Sequence, residues 1–542
     1  RPFERDKKMN IDKNADVLAA PANPRAAYAG ELLLTANHSA STDAWQTGLN
    51  NNVLVLGCSG GGKTRNHLVP NLLQCQGSYV VLDGKGSLYD ELAPYLRANG
   101  YQVDQLDFTR EGAGTVGYDP LAHVRWSHDR PNTQDVIAVA NAVCSAEDMG
   151  SDPFWGHAAA NYLASYVAYV LEAMPERSCN MASVVRVFEQ AADGHAGELF
   201  EDLEHDNPSS FAVSLYRRAR ATGRAEKMHA SIMGIIAADI LPFSHEAAMA
   251  SYERPQQVDF AALGHKKCAL FVTMDDLDHS MTALTSLFVR QAFCSLRDEA
   301  DASEGGRLPV PVRFMLDDFA NLRLPDFDDV LSVIRSREIS CTVVCQTVSQ
   351  LEARYGEASA NSIVGNCDRH LVLVFQDERT ARYFSTRAGR TPTTLLETPQ
   401  GTWWLFCRGQ KGVADGAYQL ERHPRYQDFC EKRDHARAQA EEVLSLRAGA
   451  RRPGRCGTES SRAGTRRCSR CTEGHRSRGS WALLEAVGVT FWRGPPMVAR
   501  VSRREALLAV GSKPGCINPL ERGYLTKRCV AGRLAHLENQ RM

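Results

Sequence analysis

Val53 to Leu73 reads VLVLGCSGGGKTRNHLVPNLL. Its first four residues are apolar and include two β-branched valines, which predicts a short buried strand. Gly57-Cys58-Ser59-Gly60-Gly61-Gly62-Lys63-Thr64 follows and fits G-x-x-x-x-G-K-S/T without a mismatch. Four glycines let the backbone turn sharply and aim its N–H groups at phosphate oxygens. Lys63 is expected to stand on the loop surface and reach the β- and γ-phosphates, and the Thr64 hydroxyl to ligate Mg2+. A helix is expected from about Thr64, so the positive end of its dipole also faces the anion. The order strand, glycine loop, helix favours a phosphate site over a bare glycine-rich turn.

A phosphate cradle needs a second strand that supplies a magnesium-orienting carboxylate, and VRFMLDDFANL offers one. The apolar run Val312 to Leu316, interrupted by Arg313, leads into Asp317 and Asp318. Asp317 is expected to hold Mg2+, directly or through water. Asp318 is expected to orient or deprotonate the attacking water. The alternative is a pair of helix-capping acids after a strand. In CTVVCQT, Gln346 ends another apolar strand, where its amide can sense the γ-phosphate or its water; the alternative is an ordinary polar strand end. VIRSREI, just before, carries Arg335 and Arg337.

The 542 residues allow more than one domain. The formal net charge of -1 conceals an asymmetry. Residues 451–542 hold 19 Lys and Arg against 6 Asp and Glu, and no Asp at all; the excess is +13, against −14 for the rest. The 16 cysteines sit largely in apolar runs such as CALFV, CTVVC and LFC, as reduced buried thiols do. Cys468-x-x-Cys471, with Cys456 and His475 nearby, lacks the second pair that a zinc site needs. No apolar run reaches the roughly 18–20 residues of a membrane helix, and no signal peptide is visible.

Residues 1–45 read as a polar segment ending in the strand-like ELLLTA, and residues 46–125 as alternating strand and helix. Residues 126–263 carry helical spacing throughout and predict an all-α insertion. There, Arg217, Arg218, Arg220, Arg224 and Lys227 form a basic run that suits DNA phosphates or a solvated helix face. Phe154 and Trp155 suit base stacking, but the start of an apolar helix favours a core role. Strand and helix alternate again over 264–430, and TWWLFCRG is the last strand expected. Residues 431–542 read as a charged linker and a basic tail, expected to be disordered. The tail is either a nucleic-acid contact or sequence never selected to fold, such as a shifted frame, and the second reading is favoured. The fold class is α/β, with a mainly parallel sheet.

The segments TGLNNNVLVLGCSGGGKT, YVVLDGKGSLYDELAPYL, GYDPL, DPFWGHAAANYL, FMLDDFANL and VVCQTVSQLEARYG occur in this order. Together they closely resemble type IV secretion coupling proteins of the TraG/TraD type, over roughly residues 30–430. The resemblance implies a RecA-like P-loop NTPase with an inserted all-α domain facing the cytoplasm. It implies a homo-hexameric ring around a DNA channel and an N-terminal pair of inner-membrane helices, absent from this chain. It implies ATP and Mg2+ as cofactors, and the ATP-driven transfer of single-stranded DNA with its relaxase, or of protein, into a type IV secretion channel. It also aligns Arg335 with an arginine that acts in trans on the neighbouring subunit's nucleotide; Arg337 is the alternative. Two departures stand out. Asp318 replaces the family's usual glutamate, one methylene longer, and Asp83-Gly84-Lys85-Gly86 stands where D-P-K-G is frequent. The rival readings are a small-molecule phosphotransferase, a duplex-DNA chromosome pump and an ATP-binding scaffold with little turnover.

Overall fold

The computed structural model describes residues 30–127, 130–144, 152–223, 225–274 and 281–450, with side chains to 442. All of these belong to the first of two compact units, Arg1–Leu484. Residues 1–29, Arg224, the Cys468–Cys471 pair and the whole basic tail lie outside the described residues.

The apolar runs form the central strands, and shorter polar pieces add the hairpins and the sheet edge. In chain order these are β1 (Glu31–Leu33), β2 (Ser39–Ser41), β3 (Val53–Leu56), β4 (Ser78–Asp83), β5 (Gln102–Asp107), β6 (Trp126–Ser127), β7 (Arg130–Pro131), β8 (Cys268–Thr273), β9 (Val312–Leu316), β10 (Ile339–Cys345), β11 (Arg369–Val372), β12 (Thr402–Cys407) and β13 (Val413–Gly416). Nine of them make one sheet in the order β13-β12-β11-β3-β10-β9-β4-β8-β5. From β11 to β5 every pairing is parallel, and β12 and β13 add an antiparallel edge. TWWLFCRG is therefore not the last strand; it turns back into β13.

Alternate strand residues point to opposite faces, and the core divides accordingly. Leu54, Leu56, Leu82, Phe314 and Leu316 face one cluster, which the insertion helices and the long helix Thr282–Ala302 complete. Val53, Val55, Tyr79, Val81 and Met315 face the other, under Ser87–Ala98 and the helix after the phosphate loop. Tyr426–Ala450 packs on this second face too. The charged linker expected from residue 431 thus begins as helix, held by Phe429, buried and edge-on to Tyr95 at 6.1 Å.

Between β5 and β8, which are neighbours, the chain builds eight α-helices among the described residues, from Thr133–Val143 to Phe260–His265. The range expected to be wholly helical opens with the small β6–β7 ladder. Its neck is pinned: Val258 N donates to Gly117 O at 2.9 Å, and Tyr118 N to Ser251 Oγ at 2.8 Å. A Cβ on Gly117 would lie 2.2 Å from Ser251 O, so the approach requires glycine. Asp119 accepts from Met181 N at 2.9 Å, and burial pushes its carboxyl up to about 7. Within the insertion, Arg217 pairs with Glu204, while Arg218, Arg220 and Lys227 are exposed. Trp155 packs against the core, but Phe154 is 41% exposed, because the helix presents its first residue outward.

The β1–β2 hairpin is fastened at two places. Asn71, on the helix after the phosphate loop, accepts from Leu33 N and donates to Leu33 O, both at 2.9 Å. Asp415, on β13, accepts from Thr35 Oγ1 at 2.7 Å, Asn37 N at 2.9 Å and Asn37 Nδ2 at 2.8 Å, and its Oδ2 lies 2.9 Å from His38 Nδ1. Burial alone would raise this carboxyl, but the hydrogen bonds outweigh it and hold Asp415 well below the usual carboxylate range.

Asp415→Ala is expected to cost about 1–3 kcal/mol and to speed amide exchange across residues 30–41. A depressed carboxyl stabilises at neutral pH and loses that contribution as pH falls below about 4. Wild type and variant should therefore converge in stability on acidification, as paired pH-dependent melts would show.

Candidate phosphate-binding site

β3 is fully buried, so its C-terminal end delivers Gly57 to Thr64 to one rim of the sheet. Gly60 and Gly62 have φ of 76° and 86°, left-handed values that glycine adopts without strain. Gly57 N donates to Cys345 O at 3.2 Å, so the loop starts against the end of β10. Ser59 and Gly60 are exposed and Cys58 is half-buried. Thr64–Leu68 forms a π turn before the α-helix Val69–Leu73 continues, so the expected helix opens wider than an α-helix.

Lys63 differs from expectation. It is buried, not on the loop surface, and its Nζ donates to Gly57 O at 2.8 Å and Cys58 O at 3.2 Å. The flexible ammonium satisfies itself on the loop's own carbonyls and fills part of the cradle.

Thr64 Oγ1 donates to Asp317 Oδ2 at 2.7 Å. Residues 253 positions apart thus meet at one point. Burial raises the Asp317 carboxyl, partly offset by the Thr64 hydrogen bond, while the Asp318 charge beside it raises it further. Asp318 sits at φ 47°, ψ 41°, a left-handed conformation that a non-glycine residue adopts under strain, and its N–H donates to Asp317 Oδ1 at 3.1 Å. The strained turn separates the two carboxylates: Asp317 points at Thr64, and Asp318 stays half-exposed. Neither side chain caps the 3-10 turn Phe319–Asn321 that follows, so the helix-cap alternative has no support from the geometry.

Gln346 lies exposed at the end of β10, next to the loop; its N–H donates to Gln350 Oε1 at 3.0 Å. Lys63, Thr64, Asp317, Asp318 and Gln346 therefore gather at one rim. Arg335 does not join them. It lies in the 3-10 turn Arg335–Arg337, ahead of β10, and donates to Ala44 O at 3.1 Å. Seven strand residues, about 20 Å, separate it from the rim. Arg337 is held by Asp301 at 2.8 Å.

Asp83, the acid of the Asp83-Gly84-Lys85-Gly86 run, reaches the same rim at the end of β4. It is buried and accepts from Leu88 N at 2.6 Å and Tyr89 N at 3.3 Å, at the start of Ser87–Ala98. Burial pushes it up to about 6 against those bonds. The signal was available: an acid, two glycines and a serine before an amphipathic run mark a capped helix start.

The sequence pattern of the family described as "Type IV secretory system Conjugative DNA transfer" matches residues 3–398. The chain belongs to this family. Conjugal transfer protein TraG of Escherichia coli is 24% identical over 381 residues, covering 67% of this chain and 58% of that protein. Protein VirD4 of Rhizobium radiobacter is 20% identical over 341 residues, covering 62% and 48%. The chain thus spans about half the length of the curated relatives it matches. Among solved structures, the unbound conjugative coupling protein TrwB superposes with a TM-score of 0.51 at 14% identity, over 67% of this chain and 84% of that one. TrwB in complex with ADP and Mg2+ superposes at 0.50 and 16% identity, over 68% and 85%. This likeness shows the fold, a RecA-like P-loop architecture.

Asp317→Asn retains an oxygen that can accept from Thr64 but removes a buried charge. Its melting temperature without nucleotide is expected to match or exceed wild type, while Mg2+-dependent nucleotide affinity falls at least about tenfold. Calorimetric titration with and without Mg2+ measures the difference.

Proposed function

We propose that this chain is the ATP-hydrolysing part of a coupling protein that drives a DNA–relaxase or protein substrate into a type IV secretion channel. The observation that carries the reading is the Thr64–Asp317 contact, which brings the glycine loop and the acidic strand end together at the sheet rim, as a nucleotide site would require. Family membership supplies the transport context.

Gly57 to Thr64 would cradle the phosphates, with Lys63 swinging from its own loop carbonyls onto the β- and γ-oxygens. Thr64 and Asp317 would hold Mg2+, whose charge offsets that of the phosphates. The donor set fits: a hydroxyl and a buried carboxylate, both oxygen ligands, with no arginine bridging the carboxylate. Among the described residues no cluster of three or more His, Cys, Asp or Glu competes for a metal ion. Asp318 would orient or deprotonate water, and Gln346 would sense the γ-phosphate. In this reading residues 46–125 and 264–430 form the nucleotide domain and residues 126–263 the inserted all-α domain.

Arg335 lies too far from its own phosphate loop to serve it, which supports a role in trans within a homo-hexamer. Membrane attachment belongs to the same reading. No single helix among the described residues is long and apolar enough to cross a membrane; Glu226–Ser244 and Glu246–Tyr252 pass such a test only together, across a 72° bend.

Lys63→Ala is expected to abolish ATP binding or turnover while the protein stays folded; wild-type hydrolysis by this variant would remove the basis of the reading. Asp318→Asn should bind ATP but hydrolyse it poorly, whereas Asp318→Glu should keep or raise turnover. Stimulation of hydrolysis by single-stranded DNA, measured with the oligomer mass, separates a coupling protein from a duplex pump, a phosphotransferase and a scaffold.

Arg335→Ala is expected to be nearly inactive alone, its loss on the order of 10³–10⁵ where such arginines are measured. Mixed with Lys63→Ala under subunit exchange, it should regain part of the activity. No rescue despite proven exchange would place Arg335 in cis or in a structural role.

A further inference from the structure

A cavity of about 860 Å³ opens at the N-terminal edge of the sheet, the end opposite the phosphate loop. It is lined by the starts of β9 and β10, the Asp43–Trp45 turn and the segment ahead of β9. Three arginines face it: Arg307, Arg313 and Arg335. Two are engaged. The Arg307 guanidinium lies over the Trp45 ring at 5.2 Å and beside Glu338, and Arg335 donates to Ala44 O at 3.1 Å.

Arg313 is different. It leaves β9 opposite Tyr79, enclosed by protein on the strand side, and keeps part of its surface against the cavity. Among the described residues no carboxylate lies against it and it makes no hydrogen bond. The Tyr79 phenol, neutral at ordinary pH, is its first electrostatic neighbour, and the one permanent charge that acts on it is a second guanidinium, that of Arg369, fully buried and with Nε and Nη2 unpartnered. Burial lowers Arg313 to about 10, so it remains charged at neutral pH. A buried charge without a counter-ion is costly, and here two like charges share one edge.

The cavity's own carboxylates do not supply the counter-charge. Asp43 caps the turn at Trp45 N and Gln46 N, at 2.9 and 3.1 Å; Glu338 is taken by Trp45 and Arg307; Glu304 is exposed. Asn51 Oδ1, also on the wall, is a buried acceptor without a donor. The missing ligand must therefore bring an anion for the guanidinium and a hydroxyl for the amide. A guanidinium fork matches phosphate oxygens two at a time, and a hydrogen phosphate or sugar hydroxyl supplies the donor. The volume suits a mononucleotide.

We propose that this cavity binds a free phosphate-bearing small molecule, up to mononucleotide size, with its anionic group on the Arg313 guanidinium. The site lies about 20 Å from the phosphate loop and does not depend on Arg335 acting in trans.

The test is calorimetric titration of Lys63→Ala protein with inorganic pyrophosphate, which disables the phosphate-loop site and leaves the cavity intact. About one equivalent is expected to bind. Adding Arg313→Met should weaken this binding at least tenfold, while the melting temperature without ligand stays level or rises. Absence of binding to Lys63→Ala overturns the proposal, and so does unchanged affinity in a folded Arg313→Met variant. If that variant does not fold, Arg313→Lys decides: it keeps the charge and loses the fork, and unchanged affinity again overturns the proposal. Failure of the ATPase reading is seen separately, in hydrolysis by Lys63→Ala.

Discussion

The hydrogen bond from Thr64 to Asp317 joins the end of β3 to the end of β9 across β10, which lies between them. Strands lie about 4.8 Å apart, so the loop must cross the end of β10 to reach the acid. Everything else in the sheet serves that arrangement. β10 ends in Cys345, whose carbonyl receives Gly57 N and fixes where the loop begins. The turn at Asp318 must reverse at once, or its carboxylate would crowd Asp317; the left-handed backbone does this at the cost of local strain.

The site was legible where chemistry is carried by contiguous residues. Gly57 to Thr64, Asp317, Asp318 and Gln346 sit where an apolar strand runs into a polar turn, and period and residue type mark such places directly. What was hidden depends on partners distant in sequence. The burial of Lys63 follows from two carbonyls of its own loop, and no pattern announces that a lysine will fold back on them. Asp83 carried no expected role because the acid and glycines ahead of a helix mark a cap, and only the strand order shows that this cap stands at the rim. β13 is short and exposed, Val-Ala-Asp-Gly, and lacks the apolar alternation that identifies a strand. No helix was singled out between β10 and β11, where Val348–Tyr355 and Glu357–Gly365 lie, because both are short.

The insertion is legible for a different reason. Its helices are rich in alanine and long apolar side chains at helical spacing, and Phe154–Ala173 buries most of its length. How it is attached was not visible. Both ends enter at neighbouring strands, and three hydrogen bonds close the neck: Gly117 O accepts from Val258 N, Tyr118 N donates to Ser251 Oγ and Asp119 accepts from Met181 N. The neck thus ties the helices to the ends of β5 and β8 by main-chain and side-chain bonds and not by chain connectivity alone.

The hairpin at residues 31–41 has a mechanical meaning. Its first strand is clipped to the helix that follows the phosphate loop, and its turn is clipped to the far edge of the sheet. Gly30, at its start, is itself tied to Thr42, donating to Thr42 Oγ1 at 2.9 Å and accepting from Thr42 N at 2.9 Å. One clip, Asn71, lies seven residues beyond Thr64 on the helical segment that follows the loop. A pull on the hairpin would thus be shared between the helical segment behind the phosphate loop and the β13 edge.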